Sequence, residues 1–126
     1  MHDLIRHLVA GFFAWSLLSL GAAVFGLYSR TGERWRAAWF MTAMWGLVDG
    51  AIALYALLGP PLAPQALASI LRFNTGLDIL YILAGLALLT RKNPRLQGFG
   101  LAIIVQGAFL LGFDLYFWSR CVPLIA

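Results

Sequence analysis

The sequence predicts an all-α, polytopic membrane protein, with four transmembrane helices in an up-down-up-down bundle. Three observations predict it. Of 126 residues, 62% are hydrophobic and only 11% charged, with a mean hydropathy of +0.85; a soluble domain of this size needs far more polar surface. Four apolar runs, each of about the 20 residues that a spanning helix requires, follow one another at residues 8–28, 35–59, 66–89 and 97–118. Short stretches rich in arginine, glycine and proline separate them, and short connections make sequential helices antiparallel neighbours. The whole chain, 1–126, reads as a single transmembrane domain.

The first run follows Arg6 and His7 and could be taken for a signal peptide. It is longer than a usual signal core and lacks a small-x-small site followed by polar sequence, so it reads as a retained span. The second begins after Arg30, Glu33 and Arg34 and stops at Gly59-Pro60-Pro61, because proline cannot extend a helix. Pro64 opens the turn into the third, which ends at the basic turn Thr90 to Arg95 with its helix-stopping Pro94. The fourth closes near Ser119 and Arg120 and leaves a short tail containing Pro123.

Nine basic residues against five acids would suggest nucleic acid in a soluble protein; between apolar runs they report topology instead. The first and third connections hold Arg30, Arg34, Arg36, Arg91, Lys92 and Arg95, and the opposite side holds only Arg6, Arg72 and Arg120. That bias puts the two connections in the cytoplasm and both termini outside. A faint repeat at an offset of 61 residues matches Arg30, Arg34, Gly46 and Tyr55 with Arg91, Arg95, Gly107 and Tyr116, as two duplicated hairpins about an axis along the membrane normal would. The one cysteine, Cys121, excludes an intramolecular disulfide and any cysteine-pair metal site.

Polar residues inside the spans mark the candidate site. On the third helix Asn74, Asp78 and Tyr81 are spaced by four and three residues and share a face. With each helix midpoint at the bilayer centre and about 1.5 Å of rise per residue, Asp49, Asp78 and Gln106 fall within roughly 3 Å of the midplane, and Asn74 and Asp114 about 6 to 9 Å toward the outer side. A carboxylate at the centre of a spanning helix costs on the order of 3 kcal/mol, so it faces protein or a wet cavity rather than lipid. Asp49, Asn74, Asp78, Gln106 and Asp114 are therefore expected to form a buried polar pocket opening outward, supported by Trp45, Tyr81 and Arg72. Carboxylates close together in low dielectric cannot all stay ionised, so exchange of protons or binding of a small cation is the chemistry such a set offers. The competing reading makes these groups interhelical hydrogen-bonding glue, at about 1 kcal/mol each. For Arg72 two fates are open: an ion pair with Asp114, or snorkelling toward the outer headgroups.

Other features read as structural. Gly46 with Gly50, and Ala22 with Gly26, are small-xxx-small pairs that allow close helix approach. Ser16, Ser19, Ala23 and Gly26 form a small, weakly polar stripe on the first helix. Trp35, Trp39, Tyr55, Tyr116 and Trp118 lie near the interfaces, where aromatic belts are expected. His2 and His7 precede the first run, and no histidine stands at a facing depth to share a haem. No cofactor and no metal are expected. An enzyme is not expected either, for no histidine–carboxylate set, serine elbow or phosphate loop occurs.

Read together, Asn74-Thr75-Gly76-Leu77-Asp78, Gly98-Phe99-Gly100, Gln106-Gly107-Ala108-Phe109-Leu110 and Phe113-Asp114 resemble a family of small bacterial four-helix membrane proteins classed as a domain of unknown function. Trp45-Gly46-Leu47-Val48-Asp49 is similar to that family's second-helix motif. The resemblance covers roughly the last two thirds of the chain and implies the fold and a bacterial membrane, but no activity; the expected location is the bacterial cytoplasmic (inner) membrane. Small multidrug transporters depend on a glutamate in their first helix, whereas the only glutamate here, Glu33, lies in a turn. The expected partners are the lipid bilayer and either a second copy, as a homodimer, or a larger membrane complex, with no nucleic acid. Two functions stay open: binding or transport of a proton, small cation or small polar ligand at the polar site, or a structural or accessory subunit without transport activity.

Overall fold

The computed structural model describes residues 2–29, 32–60 and 62–125; Arg30, counted above toward the basic end, and Pro61 lie outside them, as does the side chain of His2. Four helices follow in order: α1 His2–Tyr28, α2 Glu33–Leu58, α3 Pro64–Leu89 and α4 Pro94–Cys121, with a short 3-10 turn at Val122–Leu124. All four are long and apolar enough to cross a membrane, which marks a multi-pass membrane protein. Their boundaries follow local chemistry. Pro64 and Pro94 stand in the first turns of α3 and α4, where a missing N–H is harmless, and the Asn93 side chain caps α4 by accepting from the Arg95 N–H at 2.9 Å. The outer helices outrun their apolar stretches. α1 starts six residues earlier than hydropathy predicts, with Asp3 in its first turn, and α4 carries Arg120 in its last; each charge suits the helix dipole at its end.

Polarity is inverted relative to a soluble domain. Phe25, Tyr28, Tyr55 and Leu58 are each at least 76% exposed, whereas the largest fully buried side chains are Gln106, Asp49, Asp114 and Cys121. Such a surface suits lipid, in keeping with the four helices long and apolar enough to cross a membrane.

The packing order departs from a simple ring of sequential neighbours. α1 packs on α2 and α3 on α4, but the two hairpins join through α2 and α4, while α2 and α3 make no close backbone contact. α2 and α4 lie side by side with their N-termini at the same end, where Arg95 Nε stands 3.9 Å from Glu33 Oε1, the one ion pair among the described residues. Glycines set these seams. A Cβ on Gly98 would collide with the Arg34 carbonyl and stand 2.8 Å from Ala37 Cβ, so glycine fixes how closely α4 meets α2. Gly85 and Gly100 face each other across the α3/α4 seam, each carbonyl under 3 Å from where the other's Cβ would stand. Gly46 and Gly107, matched by the 61-residue repeat, hold like places: Gly46 admits Leu20 of α1 and Gly107 admits Ile82 of α3.

Candidate functional site

Asp49 on α2, Asp78 on α3 and Asp114 on α4 are all buried, at 1 to 2% exposure, and line one cavity of about 80 Å3. Backbone proximity makes this possible. With no side chain on Gly107, the α3 backbone approaches so closely that a Cβ there would stand 3.3 Å from the Asp78 carbonyl oxygen. Two helical turns further along α4, the Asp114 carboxyl comes within hydrogen-bonding reach of the Asp78 carboxyl. Two carboxylates at that separation in low dielectric cannot both be ionised, and one shared proton converts repulsion into a short O–H···O⁻ bond. Asp49 Oδ2, Asp78 Oδ2 and Asp114 Oδ1 have no protein hydrogen-bond partner among the described residues.

Asn74 and Tyr81, both half-buried, line the same cavity, so the stripe read on α3 lies on one wall as expected. Trp45 joins them from α2, and its ring meets that of Tyr81 edge-on at 5.1 Å between centroids. This aromatic pair bridges the gap left between the α2 and α3 backbones, one turn from the carboxyls toward the basic end.

Three expectations change. Gln106 is buried but belongs to another set: its Oε1 accepts from Trp15 Nε1 at 2.7 Å, and its Nε2 donates to Ser19 Oγ at 3.2 Å. The predicted five-residue site is thus four residues and a separate α1/α4 clasp. Arg72 makes no ion pair with Asp114; it is exposed. Two residues from Asn74 is about 200° around a helix, which turns Arg72 away from the site. The pocket does not open outward along the bundle. Leu8, Leu67, Leu71, Phe117 and Cys121 form an apolar cluster over the carboxyls at that end, and the cavity faces sideways between α2 and α3, where Ile52 is 49% exposed.

Phe12 and Leu110 also wall the cavity and were not picked out from the sequence, since a phenylalanine or leucine in an apolar run carries no distinguishing signal. Trp15 was missed as well, although its spacing of four from Ser19 puts it on the weakly polar face of α1. Its indole stacks on Phe109 at 3.7 Å, nearly parallel. Replacing Gln106 with leucine leaves the Trp15 N–H without its acceptor and is expected to lower stability by about 1–3 kcal/mol, read from thermal unfolding in detergent.

Among the described residues, no three acid, histidine or cysteine side chains converge as a metal ion would require. The arrangement can instead hold protons between carboxyls and give water-sized polar guests room, since a water's share of liquid volume is about 30 Å3.

No curated protein and no solved structure matches this chain. Residues 11–115 match DUF6992, a family of unknown function. That span holds α2 and α3 whole, most of α1 and α4, and every residue of the cavity, and by it the chain belongs to the DUF6992 family.

Proposed function

We propose that this protein exchanges protons at a carboxyl cluster buried inside the membrane, in the service of binding or moving a small polar solute. The observation that carries this reading is the pairing of Asp78 with Asp114: two buried carboxyls within hydrogen-bonding reach, with no ion pair to a cation among the described residues and Asp49 on the same cavity. Intramembrane carboxyls without a counter-charge are expensive, and sites of proton relay are where they occur. The excess of arginine and lysine at the α2 and α4 N-termini supports an orientation with that end in the cytoplasm of a bacterial inner membrane and both chain termini outside. The test uses proteoliposomes loaded with a pH-sensitive dye. Acid applied outside should shift the dye with the native protein, and Asp78→Asn should reduce the shift to that of protein-free vesicles. An undiminished response in that variant sinks the proposal.

The apolar cluster over the carboxyls favours a second reading, an accessory subunit of a larger membrane complex whose interior is closed. That role predicts loss of assembly, rather than of proton exchange, when the aspartates are changed. Co-purification of a large partner at fixed stoichiometry would support it.

A further inference from the structure

The walls around the three carboxyls restrict how a guest reaches them. Toward the chain termini the cavity is capped by Leu8, Leu67, Leu71 and Phe117, and toward the basic end the Trp45 and Tyr81 rings meet. Phe12 of α1 and Leu110 of α4, both buried, line its inner side. What remains is the lipid-facing seam between α2 and α3, whose backbones make no close contact. Its rim is Ile52, 49% exposed, and Leu77, half-buried. A guest using that seam comes through hydrocarbon. An inorganic ion would leave its water shell there without compensation, whereas a molecule with an apolar tail and an uncharged basic head keeps its tail in lipid throughout.

The cavity itself defines the head. Asp49 Oδ2, Asp78 Oδ2 and Asp114 Oδ1, one oxygen from each of three helices, are buried without a hydrogen-bond partner among the described residues, in about 80 Å3 of space. A primary ammonium is close to water in size and carries three N–H donors and no acceptor, as the head of lysine does. Its number of donors and its sign both match. The acids do not converge as a metal ion requires, with ligands at about 2.0–2.6 Å, but hydrogen bonds to an ammonium reach about 2.7–2.9 Å. The Trp45 and Tyr81 rings beside the carboxyls attract a cation further. Proton balance also holds. The nitrogen lone pair of an arriving R–NH2 takes the proton that Asp78 and Asp114 share, giving R–NH3+ beside two carboxylates; the net charge of amine and pair is unchanged.

We propose that the guest of this site is a primary amine with an apolar tail, entering from the bilayer between α2 and α3, its ammonium head on the three carboxyls and its tail in the seam beside Ile52 and Leu77. The proposal rests on the proton-exchange reading above and names the class of its solute. The test measures equilibrium binding of radiolabelled octylamine to the purified protein in phosphatidylcholine nanodiscs, with the uptake of empty discs subtracted. A saturable site is expected. Octyltrimethylammonium, which has the charge and the tail but no N–H, should compete about ten-fold or more weakly than unlabelled octylamine. Methylamine, which lacks the tail, octanol, which lacks the charge, and sodium should compete weakly as well. Ile52→Trp, which narrows the rim from a half-exposed position, and Asp49→Asn, which removes one carboxylate, should each weaken binding. Absence of a saturable site, equal competition by octyltrimethylammonium, methylamine, octanol or sodium, or undiminished binding by Ile52→Trp would overturn the proposal. Should Asp49→Asn not fold, the competitor series and Ile52→Trp decide. The dye assay on the same protein separates the two levels: proton exchange without octylamine binding sinks this inference alone, and absence of proton exchange sinks the reading beneath it.

Discussion

Gly98→Leu is expected to abolish the folded bundle. The α-carbon of Gly98 lies against the α2 backbone, so a side chain there must displace the Arg34 carbonyl and the Ala38 N–H rather than a flexible neighbour. Overpacking against side chains typically costs about 1–3 kcal/mol, and displacing backbone exceeds that range. Because α2 and α4 form the main seam between the hairpins, the loss should be cooperative. Size-exclusion chromatography and thermal unfolding in detergent should show aggregation or a collapsed transition for Gly98→Leu. Gly112→Leu, at a position where a Cβ meets nothing within 4 Å, should be indistinguishable from the native protein.

The second large effect concerns function and stability moving in opposite directions. Asp78→Leu together with Asp114→Leu is expected to eliminate proton exchange while preserving or raising the melting temperature. Replacing buried ionisable groups by apolar ones of similar volume is often neutral or stabilising by about 1–4 kcal/mol, because the desolvation of the charged form is removed. If the aspartates were glue, the same change would lose their interhelical hydrogen bonds, about 0.6 kcal/mol each in membranes. A variant that melts lower and still exchanges protons would identify the carboxyls as structural. Reconstituted flux and differential scanning of the same preparation distinguish the two cases.

How much of this could be read from the chain follows from what lipid does and does not discriminate. The number of helices was legible because hydropathy and proline punctuation act locally. So was the gathering of the carboxyls at a common level of the bundle, which depends only on rise per residue, and the Asn74, Asp78 and Tyr81 wall, which depends only on helical period. Which helix faces which was not legible. Every outer face of these helices is apolar, so no amphipathic stripe points to a partner, and the choice of α4 over α3 as the neighbour of α2 rests on backbone fit at Gly98. Gln106 illustrates the limit: its depth equals that of Asp78, but its azimuth sends it to Trp15 and Ser19 on α1. The side from which the carboxyls are reached was equally hidden, since Leu67, Leu71 and Phe117 look in sequence like any other lipid-facing residues.

The gap between α2 and α3 also bears on how the protein is made. α1 and α2 enter the membrane first and can pair through Ser16, whose hydroxyl donates to the Gly46 carbonyl at 2.7 Å without any help from the second hairpin. At that stage Asp49 has neither Asp78 nor Asp114 beside it and must wait in lipid or at a water defect, at an expense of roughly 3 kcal/mol. Docking of the completed α3/α4 hairpin relieves that exposure and brings the three carboxyls to one cavity in the same event. The carboxyl cluster is therefore a late product of biosynthesis, and a nascent chain halted after its second span displays a lone intramembrane aspartate, the kind of mark by which an unfinished membrane protein can be told from a finished one.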